Sequence, residues 1–85
     1  MTLILPHQCR AARASLGWSQ SQLAEASQVA KKTIADFERE ATTPHPRTVE
    51  ALRATLDAAG VEFIPEDTEK GAGVRMKERA KGGQQ

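Results

Sequence analysis

Apolar positions recur with a helical period along most of this chain and shift to a strand-like pattern near its end. Leu5, Cys9, Ala12 and Leu16 are spaced by four, three and four, which places them on one stripe of a helix. Pro6 opens that helix, since proline in the first turn gives up an amide that has no partner there anyway. Gly17 stops it, being able to adopt the positive φ of a helix end. Ser19 and Gln22 then form a Ser-x-x-Gln capping box for a short second helix from Gln20 to Ser27, which sets Leu23, Ala24 and Ser27 on one side. Gln28-Val29 breaks the pattern. A third short helix follows from about Lys31 to Arg39, with Ile34 and Phe37 turned inward, Glu38 beside them, and Lys31, Lys32, Ala35 and Asp36 turned elsewhere.

Ala41-Thr42-Thr43-Pro44-His45-Pro46 reads as a loop from its prolines and polar content. Pro46 opens a fourth helix carrying Val49, Leu52 and Leu56, which ends near Ala59 with Gly60 as its stop. Val61-Glu62-Phe63-Ile64 has the β-branched and aromatic content of an extended segment. Residues 66–73 form a turn. Gly73-Val74-Arg75-Met76-Lys77 alternates apolar and basic residues and is suited to pair with 61–64, within the chain or across a dimer. Val61, Phe63, Ile64 and Val74 are the candidate dimer contacts.

Composition narrows the class. Eighty-five residues make one domain at most, and a chain this short buries only about 60–65% of its unfolded surface. Much of the 39% apolar content is alanine, which suits closely packed helices, so the fold is read as mostly α. The formal net charge of +1 gives no general argument for nucleic acid, and a DNA binder of this composition must gather its positive charge on one face. The stretch 75–81 is locally basic, either a solvated end or an added grip on a phosphate backbone. A single cysteine excludes an internal disulfide. No signal-peptide pattern and no apolar run long enough for a membrane span occur, so a cytoplasmic location is expected.

Two short helices joined by a three- or four-residue turn are the geometric unit of major-groove reading. Ser19-Gln20-Ser21-Gln22-Leu23-Ala24-Glu25-Ala26, then Val29, then Lys31-Lys32-Thr33-Ile34-Ala35-Asp36-Phe37-Glu38-Arg39 resembles the XRE family of phage-repressor-like helix-turn-helix domains. Arg10-Ala11-Ala12-Arg13-Ala14-Ser15-Leu16-Gly17-Trp18 looks like that family's first helix and its link to the second. The resemblance covers about residues 5–60. It implies a compact four- to five-helix repressor-like domain over residues 1–60; beyond it the residues themselves are read as a short C-terminal β-hairpin or dimer strand over 61–77 and a flexible tail over 78–85. It also implies that Gln20 touches a phosphate, that Lys31, Lys32 and Asp36 face base edges, and that Thr33 meets the backbone. Arg13 is implied to pair with Glu38 and so lock the first helix to the third.

Elementary chemistry agrees with these roles. Lysine donates to guanine O6 and N7, and aspartate accepts from cytosine N4. Phosphate contacts set orientation while base contacts set sequence preference. Arg39, Thr42, Thr43 and Arg47 flank the loop as further phosphate candidates. The chain also departs from the family pattern. Gln28 stands where glycine is frequent at positive φ, at a cost of about 1 kcal/mol. Ala30 stands where serine or threonine usually caps, forfeiting about 1 kcal/mol. Glu40 replaces a common glycine, and with Asp36 it brings negative charge close to the DNA side.

Other chemistry is not indicated. Cys9 falls on an apolar stripe and reads as core. His7, Cys9 and His45 are too few ligands, at no metal-site spacing, so no metal is expected. No cofactor, nucleophile turn or oxyanion loop is seen, and the chain is read as a non-enzyme. The expectation is therefore a transcriptional regulator, a repressor, that binds double-stranded DNA as a homodimer on an inverted repeat. The alternative is an antitoxin or adaptor whose main ligand is a protein, such as a toxin, an antiactivator or polymerase. Segment 61–77 would be its docking edge.

Overall fold

Four helices and one β-hairpin make up the computed structural model, which describes residues 3–78. The tail beyond Glu78 lies outside the described residues. The helices are α1 (Pro6–Leu16), α2 (Gln20–Ser27), α3 (Lys31–Glu38) and α4 (Pro46–Ala58), and the strands are β1 (Val61–Ile64) and β2 (Gly73–Met76). No described helix is long and apolar enough to cross a membrane.

Local chemistry sets the helix ends. Leu5 precedes α1 in an extended conformation and has no side chain able to cap it. Gln8 compensates by reaching back, its Oε1 accepting from the Leu5 amide at 2.8 Å. Because Leu5 stands outside the helical period, it is 42% exposed, and Ile4 occupies the core in its stead at 5%. That corrects the stripe read from Leu5. The capping box of α2 is present in full: Ser19 Oγ accepts from the Gln22 amide at 3.1 Å, and Gln22 Oε1 accepts from the Ser19 amide at 2.7 Å. At α4 the cap is His45, whose Nδ1 accepts from the Arg47 amide at 3.0 Å. This role has no simple sequence signal.

The core draws on every element except β2. Cys9 and Ala12 of α1, Leu23 of α2, Ile34 and Phe37 of α3, Val49, Leu52 and Leu56 of α4, and Val61 of β1 close around Ile4. Val29, Trp18 and Leu16 pack at its margin. The strands pair antiparallel within the chain, Val61 facing Met76 and Phe63 facing Val74. Val61 is fully buried in this intrachain core and has no surface left for a second copy, whereas Phe63, Ile64 and Val74 are half-buried. A buried glutamine fastens the hairpin to α1: Gln8 Nε2 donates to the carbonyls of Ile64 at 3.3 Å and Gly73 at 3.0 Å. Lys77 ties the end of the hairpin to α4 through the Asp57 carboxylate at 2.7 Å.

A second polar cluster fixes α3. The Glu38 side chain is 3% exposed, and donors from α1 and α2 surround it. Arg13 grips it with two hydrogen bonds, Nη2 to Oε1 and Nε to Oε2, both 2.7 Å. Gln20 Nε2 adds a bond to Oε1 at 3.0 Å, and the Cys9 thiol one to Oε2 at 3.2 Å. Arg13 also donates to the Trp18 carbonyl at 2.9 Å, and Arg10 donates to the Glu38 carbonyl. Burial pushes the Glu38 carboxyl up, but the bonds from Arg13, Gln20 and Cys9 outweigh it and hold the group below its ordinary 4.5. Burial and the neighbouring carboxylate push the Cys9 thiol up, so it remains a neutral donor.

Two consequences are measurable. Glu38→Ala leaves Arg13 without its buried partner and should cost about 3–5 kcal/mol in urea unfolding, a large part of a domain's total. Because folding lowers the Glu38 pKa, its contribution is complete above the ordinary value and fades as pH falls through the lowered one. The stability gap between the wild type and Glu38→Gln should therefore narrow from pH 7 to pH 3; a constant gap would reject the linkage. Gln28 and Glu40 both sit in the left-handed region at φ 63°. Gln28→Gly and Glu40→Gly should each stabilise by about 0.5–1 kcal/mol, seen as a rise in Tm of a few degrees.

Candidate nucleic-acid interface

The three-residue link 28–30 turns the chain between α2 and α3. Its left-handed residue, Gln28, secures itself by donating Nε2 to the Glu25 carbonyl at 2.9 Å, and Ser27 Oγ accepts from the Val29 amide at 3.3 Å. Ala30 supplies no side-chain cap to α3. The helix is eight residues long, too short to persist alone. It is held by Ile34, Phe37 and Glu38, all buried on one side.

The opposite side of α3 is open. Lys31, Lys32 and Arg39 are exposed, Thr33 and Ala35 are half-buried, and Asp36 lies beneath its neighbours with its side chain 16% exposed. Thr42, Thr43 and Arg47 are exposed on the loop and in the first turn of α4. The Gln20 side chain donates to Glu38 at 3.0 Å, and Gln20 also opens α2, whose first amides have no intrahelical partner. The structure thus gathers Lys31, Lys32, Asp36 and Arg39 on one helix face, followed in the chain by Thr42, Thr43 and Arg47. Arg13 and Glu38 stand together behind that face.

The charge order along α3 runs against its helix dipole. Lysines occupy the first two positions, where the dipole's positive end disfavours them, and no basic residue stands in the last turn. Charge placed this way is not accounted for by helix stability. Asp36 is partnered by Lys32 at 3.1 Å and by Arg39 at 2.9 Å, and these hydrogen bonds hold its carboxyl below the usual carboxylate range. Among the described residues the Lys31 side chain enters no hydrogen bond or ion pair, so its amine is free to donate outward.

Three structural residues had little or no signal in the sequence. Gln8 resembles any polar helix residue, Arg10 is an unremarkable surface cation, and His45 lies between prolines. Each acts through a backbone group that only the tertiary arrangement brings near. A groove of about 670 Å³ runs between the N-terminal segment, α4 and the hairpin, bordered by Leu3, Leu5, Phe63 and Pro65; none of its lining comes from α2 or α3. No group of three or more metal-binding side chains occurs among the described residues.

The helix-turn-helix family model matches residues 10–63, from the second turn of α1 into β1. No curated protein matches the chain. The matched stretch is more than half of the molecule and contains α2, the turn, α3 and the cluster that joins them. The chain therefore belongs to the XRE-type helix-turn-helix family of DNA-binding regulators.

Proposed function

We propose that this protein is a sequence-specific regulator of transcription, a repressor that acts from the cytoplasm as a homodimer on an inverted-repeat operator. The observation that carries the reading is the two-sidedness of α3. Its inner side is locked to α1 and α2 through Glu38, and its outer side offers exposed lysine side chains that none of the described residues cover. A helix held this way can enter a major groove without rearrangement.

In this reading Lys31, Lys32 and Asp36 make up the part of the helix turned to base edges. Thr33, Arg39, Thr42, Thr43 and Arg47, with the opening amides of α2 at Gln20, meet phosphates and set register. Two copies would place their recognition helices in successive major grooves, with half-site centres about 34 Å apart. Phe63, Ile64 and Val74, half-buried on the hairpin, supply apolar area for that pairing. One observation favours a second reading, an adaptor or antitoxin that docks a protein. Leu3 and Leu5 are about two-fifths exposed beside the groove, and large apolar patches mark protein contacts.

Salt separates the two. A domain meeting about six phosphates should lose roughly a thousandfold in affinity for duplex DNA between 50 and 200 mM salt. Failure to bind any duplex at low salt would leave the adaptor reading standing alone. Lys31→Ala and Lys32→Ala should each cost about 1–3 kcal/mol on a selected site, and much less on random duplexes. Arg47→Ala should weaken both alike. Anisotropy titrations measure these differences, and unchanged site preference in both lysine variants would move the reading face away from α3.

A further inference from the structure

We propose that Asp36 does not read a base but positions Lys32 and Arg39, fixing where the two cations of the outer α3 face meet DNA. The proposal rests on the DNA-binding reading above and assigns a different task to one of its residues.

Both carboxylate oxygens of Asp36 are engaged. Oδ2 accepts from Lys32 Nζ at 3.1 Å, and Oδ1 accepts from Arg39 Nε at 3.2 Å and Nη2 at 2.9 Å. The three residues differ sharply in exposure: 84% for the Lys32 side chain, 67% for Arg39 and 16% for Asp36. The acid is thus covered while the two cations project. A cytosine amino group must come within about 3 Å of a carboxylate oxygen to donate to it. At Asp36 it would have to reach past the projecting Lys32 and Arg39 to a carboxylate only 16% exposed, and compete there with two charged donors.

Spacing explains what the acid provides. Positions 32, 36 and 39 follow the i, i+4, i+7 stripe of a helix, so the backbone sites of Lys32 and Arg39 are about 10 Å apart along its axis while their charged ends converge on one carboxylate. Lys32 lies in the first turn, the part of a recognition helix that approaches base edges, and Arg39 lies just past the last residue, nearer the flanking backbone. Lysine and arginine stems are flexible, and ordering them on binding opposes association. A shared carboxylate between them orders both before DNA arrives. It also withholds part of their charge from phosphates met in the wrong register, which lowers affinity for non-specific duplex. Lys31 stands outside this arrangement and serves as an internal control.

Duplexes selected from a random pool by the full chain, and by its Asp36→Asn, Lys31→Ala, Lys32→Ala and Lys32→Ala/Asp36→Asn variants, test the assignment. Asp36→Asn should flatten preference at the base pair that Lys32→Ala also flattens, and leave the pair sensitive to Lys31→Ala intact. Its affinity for random duplex should rise, and the ratio of selected to random affinity should fall about tenfold. The double variant should discriminate no worse than Lys32→Ala alone. Loss of preference at a separate base pair, adding to the loss in Lys32→Ala, would make Asp36 a base reader and overturn the proposal. Unchanged preference in Asp36→Asn would overturn it too. A readout without DNA separates the two levels of inference: the Arg39 Nε–H and Lys32 side-chain NMR resonances of the free protein should both shift in Asp36→Asn. If they stay still while the wild type binds its site, the positioning role alone falls. If the wild type binds no duplex at low salt, the DNA reading falls and the proposal with it.

Discussion

A carboxylate buried as deeply as Glu38 is costly unless its acceptor capacity is filled, and here four donor contacts from two other helices fill it. The rest of the molecule depends on that condition. Arg13 must project from α1 at the height of the last turn of α3, Gln20 must open α2 beside it, and Cys9 must remain a neutral thiol. Apolar packing alone tolerates some sliding of one helix over another, but a bidentate arginine does not. The ion pair therefore specifies the angle between α1 and α3 more than it adds net stability.

That specification matters because α3 has so little stability of its own. It has eight residues and no side-chain cap, and cations stand at its positive end. Left-handed residues that are not glycine bracket it, Gln28 before and Glu40 after. Each of these choices weakens the helix or its junctions, and each lies on or beside the face offered to DNA. The arrangement is that of a reading element whose outer surface is free of structural duty because its inner surface carries all of it. Asp36 repeats on the outside, with two exposed cations, the kind of charge pairing that Glu38 makes within.

The hairpin plays a different part. β1 contributes Val61 to the core and so closes the end of the domain away from α3, while Gln8 carries the connection back to α1 through two backbone carbonyls. The ion pair of Glu62 with Arg75 and the contact of Lys77 with Asp57 lie on the surface and are screened; they secure register more than stability. Loss of the hairpin would take Val61 out of the core.

The number and type of the elements, and most of their ends, could be read from residue order because they depend on local chemistry: the period of Leu23, Ile34, Phe37, Leu52 and Leu56, the capping box at Ser19, and the stops at Gly17 and Gly60. The motif around α2 and α3 was equally visible, since unlike features coincide there within a short span. Long-range geometry had to decide the remainder. Whether 61–64 and 73–76 would pair within one chain, whether Ile4 or Leu5 would enter the core, and which backbone carbonyls Gln8 and Arg10 would reach all depend on distances between segments far apart in sequence. The same holds for Asp36. The period places it on the outer face, but only the side-chain positions show both of its oxygens occupied. A side chain's location on a helix follows from counting residues, and its availability follows from what its neighbours do.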